Sequence, residues 1–298
     1  MNRRSFLKSV SVFGLGSLTG LASSPAPARR FKIGHTGITW GYKPENAPAA
    51  IQDVAAAGYH GFESFGHVLE YWETRGGLGQ FLEPARLPLI SAYCPTVLAD
   101  PAKRPAELQK LVRWGKLIKQ CGGRVAVIGP ENVKRTEYDF AAVRPHIVAA
   151  LNDYGRALSD VGILGALHPH TGSSVQTRDE VYAVYEATDP RYAKMAPDLG
   201  ELLHGGADPL EVIRDFRPVI VHAHLKDWIG GQFNDGYCPA GQGKVDLAGC
   251  TAALERGGDD LMLMGELNPD PKNPKPPAQL IGESRRYFES LGYTFLSP

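Results

Sequence analysis

Val221-His222-Ala223-His224-Leu225-Lys226-Asp227-Trp228 follows an apolar run and alternates in character. Read as a strand, it sends His222, His224 and Lys226 to one face and Val221, Ala223 and Leu225 to the other. Two imidazoles, an ammonium and then a carboxylate are expensive to bury without partners. A pair of hydrogen-bonded core histidines is one way to satisfy them. The other is a site at the C-terminal end of a parallel strand, where α/β proteins gather their polar chemistry.

Outward from that stretch, short apolar runs alternate with helical patterns. Strands are expected at Phe31–Trp40, Gly61–Gly66, Leu87–Thr96, Arg124–Gly129, Ile163–His170, Ala193–Leu199, Val219–Lys226 and Leu261–Leu267. Helices are expected at Asn46–Gly58, His67–Gln80, Pro105–Cys121, Asp139–Leu158, Arg178–Ala187, Pro209–Phe216, Leu247–Arg256 and Pro277–Leu291. Eight βα units in this length predict an α/β fold, a single (β/α)8 TIM barrel spanning residues 29–298. A doubly wound open sheet would normally open with a glycine-rich turn, and Gly34-His35-Thr36-Gly37-Ile38-Thr39 is not Gly-x-Gly-x-x-Gly. The longest connection, Trp228–Asp246, reads as a lid or substrate-contacting loop.

Residues 1–28 read as an export signal rather than fold. Arg3, Arg4 and Lys8 precede an apolar run from Val10 to about Ala22, and Ala26-Pro27-Ala28 has the small-x-small pattern of a cleavage site. Arg3-Arg4-Ser5-Phe6-Leu7-Lys8 resembles the twin-arginine signal, which implies export of a folded protein to the periplasm. The apolar run is shorter than the ~20 residues of a spanning helix, so no stable membrane insertion is expected after cleavage. The 32 basic residues then fall to 29 against 32 acids, a charge of about −3, with no basic block to suit a nucleic acid. Cys94, Cys121, Cys238 and Cys250 are too widely spaced for a zinc knuckle, although Cys238 and Cys250 could pair in an oxidising compartment.

The informative pattern is what the expected strands end in. Strand two carries Glu63, strand five ends His168-Pro169-His170, and strand six ends Asp198-Leu199-Gly200-Glu201. Strand seven ends at Lys226, and strand eight ends Gly265-Glu266-Leu267. In a barrel these share one mouth. His168, Asp198, His224 and Glu266 can then converge on one divalent ion, and mixed imidazole and carboxylate ligands suit Mn, Co, Fe or Zn better than Ca. Taken singly, each has a plainer reading: Asp198 before a helix could be a cap, and Glu266 half of a buried ion pair.

From about Phe31 onward the chain resembles the xylose-isomerase-like barrel superfamily, in its sugar phosphate isomerase/epimerase and inosose-dehydratase-like branch. The residues that carry the resemblance are Ala166–Gly172, Asp198–Pro209, His222–Asp227, Cys238–Asp246 and Gly265–Leu267. The resemblance implies ligand roles for Asp198, His224 and Glu266 and substrate contacts at His170 and Lys226. It departs at two positions. Many epimerases of the superfamily have Glu where this chain has His168, which removes a matched pair of catalytic glutamates. Many relatives have His where this chain has Glu201.

The expected activity is proton abstraction next to a carbonyl of a sugar or keto-polyol through a metal-bound enediolate, giving isomerisation or epimerisation. β-Elimination on an inosose or 3-keto-glycoside is the alternative, and an apurinic-site-type nuclease or a non-catalytic sugar-binding protein follow behind. Glu266 is the candidate base, with Lys226 or His170 as proton donor. Glu63, Trp40, Glu201, His222 and Trp228 are candidate substrate contacts, with Trp40, Phe65, Tyr71, Trp72 and Trp228 as candidate apolar walls. Barrel enzymes of this type are often dimers or tetramers, so a homo-oligomer is expected by analogy.

Overall fold

The computed structural model describes residues 29–257 and 261–297. The expected signal segment lies outside them. The strands are β1 (Lys32–Thr36), β2 (Phe62–Phe65), β3 (Leu89–Thr96), β4 (Val125–Pro130), β5 (Leu164–Leu167), β6 (Lys194–Met195), β7 (Ala223–Leu225), β8 (Asp227–Trp228), β9 (Tyr237–Cys238) and β10 (Met262–Gly265). Eight of them form one parallel sheet in the order β6-β5-β4-β3-β2-β1-β10-β7. Single parallel bridges, Met195 with Ile220 and Asp198 with His224, join the two ends. Helices lie between the strands, as a (β/α)8 barrel requires. Among the described residues no helix is long and apolar enough to cross a membrane.

Alternation within each strand decides what faces the barrel axis. On β4, Val125 and Val127 join Ala166 and Ala196 in a small inner plug, while Ala126 and Ile128 face the outer core between sheet and helices. On β7, Ala223 and Leu225 belong to that outer core, and His222, His224 and Lys226 are buried among polar groups. Val221 departs from the expected alternation and packs against the inner plug.

Several expected strands are shorter than their apolar runs, for local reasons. β1 stops at Thr36, where a 3-10 turn over Gly37–Trp40 takes over and Gly41, at φ 93°, reverses the chain. Trp40 therefore leaves the strand, and its indole donates to Asp53 at 2.9 Å. β5 ends before Pro169 and β6 before Pro197, each of which lacks the N–H that would extend the ladder. Residues 217–219 form a 3-10 turn rather than the start of strand seven. The sequence reading also missed a helix, Leu199–His204, and the antiparallel hairpin of β8 with β9. All four cysteines are free thiols.

Asp227 organises the long connection after β7. Its carboxylate accepts hydrogen bonds from the backbone N–H groups of Trp228 at 2.9 Å, Gly241 at 3.0 Å, Gly243 at 2.9 Å and Val245 at 3.1 Å. A Cβ on Gly243 would fall 2.1 Å from Asp227 Oδ1, so this approach requires glycine. Hydrogen bonds to a charged acceptor are each worth about 1.5–3 kcal/mol. Asp227→Ala is therefore expected to destabilise the protein by about 2–3 kcal/mol. It should also raise hydrogen exchange selectively at the Gly241, Gly243 and Val245 amides, as amide-resolved exchange would show. Unchanged protection there would remove this account of the loop.

Candidate active site and metal centre

The site begins with the division of labour on Asp198. It is the N-cap of the Leu199–His204 helix, where Oδ1 accepts the Glu201 N–H at 2.9 Å. Its other oxygen, Oδ2, is buried and makes no hydrogen bond. His224 Nδ1 lies 3.9 Å from Oδ2 and His168 Nε2 lies 4.0 Å from it. His224 Nδ1 and His168 Nδ1 are likewise buried without a hydrogen bond. Glu266 Oε2 approaches His224 Nδ1 to 2.8 Å. Buried polar atoms left without hydrogen bonds are uncommon and call for an explanation.

A divalent ion fits that description. With bonds of about 2.0–2.2 Å, neighbouring ligand atoms stand roughly 3–3.5 Å apart. The separations of 2.8, 3.9 and 4.0 Å bracket this range. His168, Asp198 and His224 also bring potential ligand atoms within 4.8 Å of one another, all buried. Burial and the nearby His224 hold the His168 imidazole well below its ordinary pKa, so it is neutral, the form that ligates. Burial drives the Asp198 carboxyl upward although Lys226 pulls the other way, as expected of a carboxylate without its full complement of cations.

Lys226 is the second organising group. Its side chain is 1% exposed. The ammonium lies 2.8 Å from Glu201 Oε1, 3.0 Å from Glu266 Oε1 and 3.5 Å from Asp198 Oδ2, and 4.1 Å from the Tyr237 ring centroid. Burial alone would lower its pKa, but the three carboxylates outweigh it, and Lys226 stays firmly protonated. Burial likewise pushes the Glu266 carboxyl up, and Lys226 and His224 more than offset it, so Glu266 is held well below the usual carboxylate range.

Glu201 is locked in place rather than open to the cavity. Its Oε2 accepts from the Thr171 N–H at 3.1 Å and from the Thr171 hydroxyl. Its Oε1 faces Lys226 and, at 3.1 Å, His170 Nε2. His170 is the more accessible partner, about a third exposed at the side chain, with Nδ1 on the Thr171 carbonyl at 2.8 Å.

A narrow cavity of about 50 Å³ opens over this floor. Its lining includes Thr36, Ile38, Tyr42, Glu63, Phe65, Tyr93, His168, His170, Glu266 and Asn268. Of the expected aromatic walls only Phe65 is present. Trp72 instead donates to the Pro44 carbonyl, and Trp228 stacks on His204 at 4.8 Å within the β8–β9 region. Tyr42 and Tyr93 take the place of the tryptophans. Tyr93 follows from strand alternation once the register of β3 is known; Tyr42 sits just after the 3-10 turn, where no periodic signal reaches it. His222 is 1% exposed and does not line this cavity.

A model of the xylose isomerase-like TIM barrel matches residues 51–291. The chain belongs to that family. An inosose dehydratase from Clostridium botulinum (strain Alaska E43 / Type E3) is 24% identical, over 87% of this chain and 97% of that protein. Among solved structures, the 3-keto-D-glucoside 4-epimerase of E. coli superposes with a TM-score of 0.70 at 16% identity, covering 88% of this chain and all of that one. The IOLI protein, solved with a bound zinc atom, superposes with a TM-score of 0.72 at 14% identity over 88% of this chain and 98% of its own. At such identities the structures testify to the fold.

Proposed function

We propose that this chain is a divalent-metal-dependent enzyme that removes a proton next to a carbonyl of a small sugar or keto-polyol. One observation carries the reading. Asp198 Oδ2 and His224 Nδ1 are buried without hydrogen bonds, with His168 Nε2 4.0 Å from the former and Glu266 Oε2 2.8 Å from the latter, directly behind a cavity that His168 and Glu266 line. His168, Asp198, His224 and Glu266 would hold the ion, which when bound supplies a Lewis acid for the carbonyl. Among the first-row metals the imidazole and carboxylate donors suit Mn, Co, Fe or Zn.

The protein's own groups divide the rest of the work. Glu266 lines the cavity and is held ionised by Lys226 and His224, so it is available to accept the proton. Lys226 places a fixed positive charge beside it, in a site with little water, where such charge acts strongly on developing negative charge. His170, at the cavity wall and partly exposed, is the group placed to deliver a proton to the departing or re-forming side of the substrate. Tyr42, Phe65 and Tyr93 offer ring faces to sugar C–H groups.

Two outcomes share this first step. Return of the proton to another face or carbon gives epimerisation or isomerisation. Loss of a β-oxygen gives dehydration or cleavage of a keto-glycoside. The second is favoured by His168, since the floor then lacks an opposing catalytic glutamate, and by the inosose dehydratases among the relatives. Export by the twin-arginine route to the periplasm belongs to the same proposal and rests on Arg3-Arg4-Ser5-Phe6-Leu7-Lys8.

The test is proton–deuterium exchange followed by NMR. Metal-loaded protein in D₂O is offered ketoses, inososes and 3-keto-glucosides. Deuterium should enter beside a carbonyl, and a chelator should slow this by at least about 10²-fold, given a Lewis-acid contribution of several kcal/mol. The product distinguishes epimerase from lyase. Stoichiometric metal with no exchange on any substrate would defeat the proposal.

A further inference from the structure

Beneath the candidate metal ligands lies a buried carboxylate that the proposed reaction does not use. Glu63 is 2% exposed. Its Oε2 accepts from the Ser91 hydroxyl at 2.6 Å and from His222 Nε2 at 2.9 Å. His224 Nε2 reaches both of its oxygens, at 3.0 Å and 3.1 Å. Glu63 lies level with Ser91 across β2 and β3, and His222, just before β7, and His224, on it, reach Glu63 across the barrel interior. Oε2 already accepts from the Ser91 hydroxyl, and contacts of 3.0 and 3.1 Å are those of a ring N–H donated to a carboxylate.

We infer that Glu63 is a positioning residue for the metal centre: its bond to His224 Nε2–H fixes the ring and leaves Nδ1 facing Asp198 and Glu266. The geometry is directional, since the two nitrogens of one imidazole are committed to opposite sides. Nε2 is tied to Glu63, and Nδ1 is 3.9 Å from Asp198 Oδ2 and 2.8 Å from Glu266 Oε2. A ligating histidine commonly donates its other ring N–H to a carboxylate, and loss of that partner weakens metal binding about 10–100-fold. Ser91 and His222 both donate to Oε2 of the same carboxylate and hold it in this orientation. Glu63 was expected from the sequence to contact substrate; it lines the cavity, and its hydrogen bonds also run to the histidines. This inference rests on the metal reading above.

The experiment measures Zn²⁺ and Mn²⁺ affinity by calorimetry for the wild-type protein, Glu63→Ala, Glu63→Gln and Asp198→Asn. It is joined by ¹⁵N NMR of the histidine rings in the zinc-loaded wild-type protein and the Glu63 variants. Glu63→Ala should weaken binding at least 10-fold. Glu63→Gln keeps the volume and one acceptor oxygen, and should recover part of that loss. The zinc-loaded wild type should show one ring protonated at Nε2 and metallated at Nδ1. In Glu63→Ala that Nε2–H signal should exchange faster with water, a change that mere loss of packing would not produce. If Glu63→Ala does not fold, Glu63→Gln is decisive, with a loss of at least threefold expected. Wild-type affinity in the Glu63 variants, with binding lost in Asp198→Asn, overturns the role of Glu63 and leaves the metal site standing. Wild-type affinity in Asp198→Asn as well overturns both.

Discussion

Glu266→Gln should reduce solvent deuterium exchange at saturating metal by about 10³–10⁴-fold, a loss of about 4–5 kcal/mol of transition-state stabilisation. Two effects combine. The amide cannot accept the proton, and it also offers the ion a weaker oxygen in place of the one that stands 2.8 Å from His224 Nδ1. They separate experimentally, because a ligand defect is overcome by more metal whereas a missing base is not. The fall in kcat should therefore persist at metal concentrations that saturate the variant. Folding should change little by comparison, since Lys226 retains Glu201 at 2.8 Å and Asp198 at 3.5 Å. A Glu266→Gln enzyme that keeps more than a tenth of wild-type exchange when metal-saturated would transfer the base role to another group. His170, a partly exposed side chain on the cavity wall, is then the first to examine.

The barrel was legible because its strands are buried on both faces and read as short apolar runs at even spacing, separated by helical patterns. Strand ends were less so. Proline at 169 and 197 cuts the ladders of β5 and β6, yet the chain continues in nearly extended form, so the expected strands overran by several residues. Asp198 shows why a single-role reading of a residue fails. One oxygen caps a helix, as the plainer reading expects, and the other makes no hydrogen bond and lies near the histidines and Lys226.

What stayed hidden depends on register and on loops. That Glu63 faces Ser91 and two histidines, and not only the cavity, follows from the β2–β3 register and from which side chains meet across the barrel interior, neither of which one chain read alone gives. The tryptophans were attractive as sugar platforms for their size, but each indole N–H needs an acceptor when buried. Trp40 and Trp72 found theirs at Asp53 and the Pro44 carbonyl, away from the cavity. The smaller Tyr42 and Tyr93 were left to form the wall. Nothing in the sequence motif assigns Asp227 a role, and its four backbone hydrogen bonds explain why a glycine-rich stretch follows it.

Lys226→Met should cost the metal-free protein about 3–5 kcal/mol of stability, the penalty for removing one partner of a buried ion pair. The ammonium is the counter-ion closest to hand for three buried carboxylates, Glu201, Glu266 and Asp198, at 2.8, 3.0 and 3.5 Å. Methionine fills most of the volume but leaves that negative charge uncompensated. Two of the three carboxylates are also proposed metal ligands, so a divalent ion and the Lys226 ammonium serve the same charges. The ion should therefore bind the variant more tightly than the wild type and restore part of the lost stability. A ligand at 100 times its Kd contributes about 2.7 kcal/mol, and at 1,000 times about 4.1 kcal/mol, so a tenfold gain in affinity narrows the deficit by about 1.4 kcal/mol. Urea unfolding of both proteins, in chelator and in excess Mn²⁺, measures the four values needed. Equal deficits in the two conditions would show that lysine and ion do not share Asp198 and Glu266. A deficit that shrinks with metal, together with poor turnover by the metal-loaded variant, would show that Lys226 acts on the substrate's developing charge as well as on the fold. Metal can replace its charge among the carboxylates, but not its position beside Glu266.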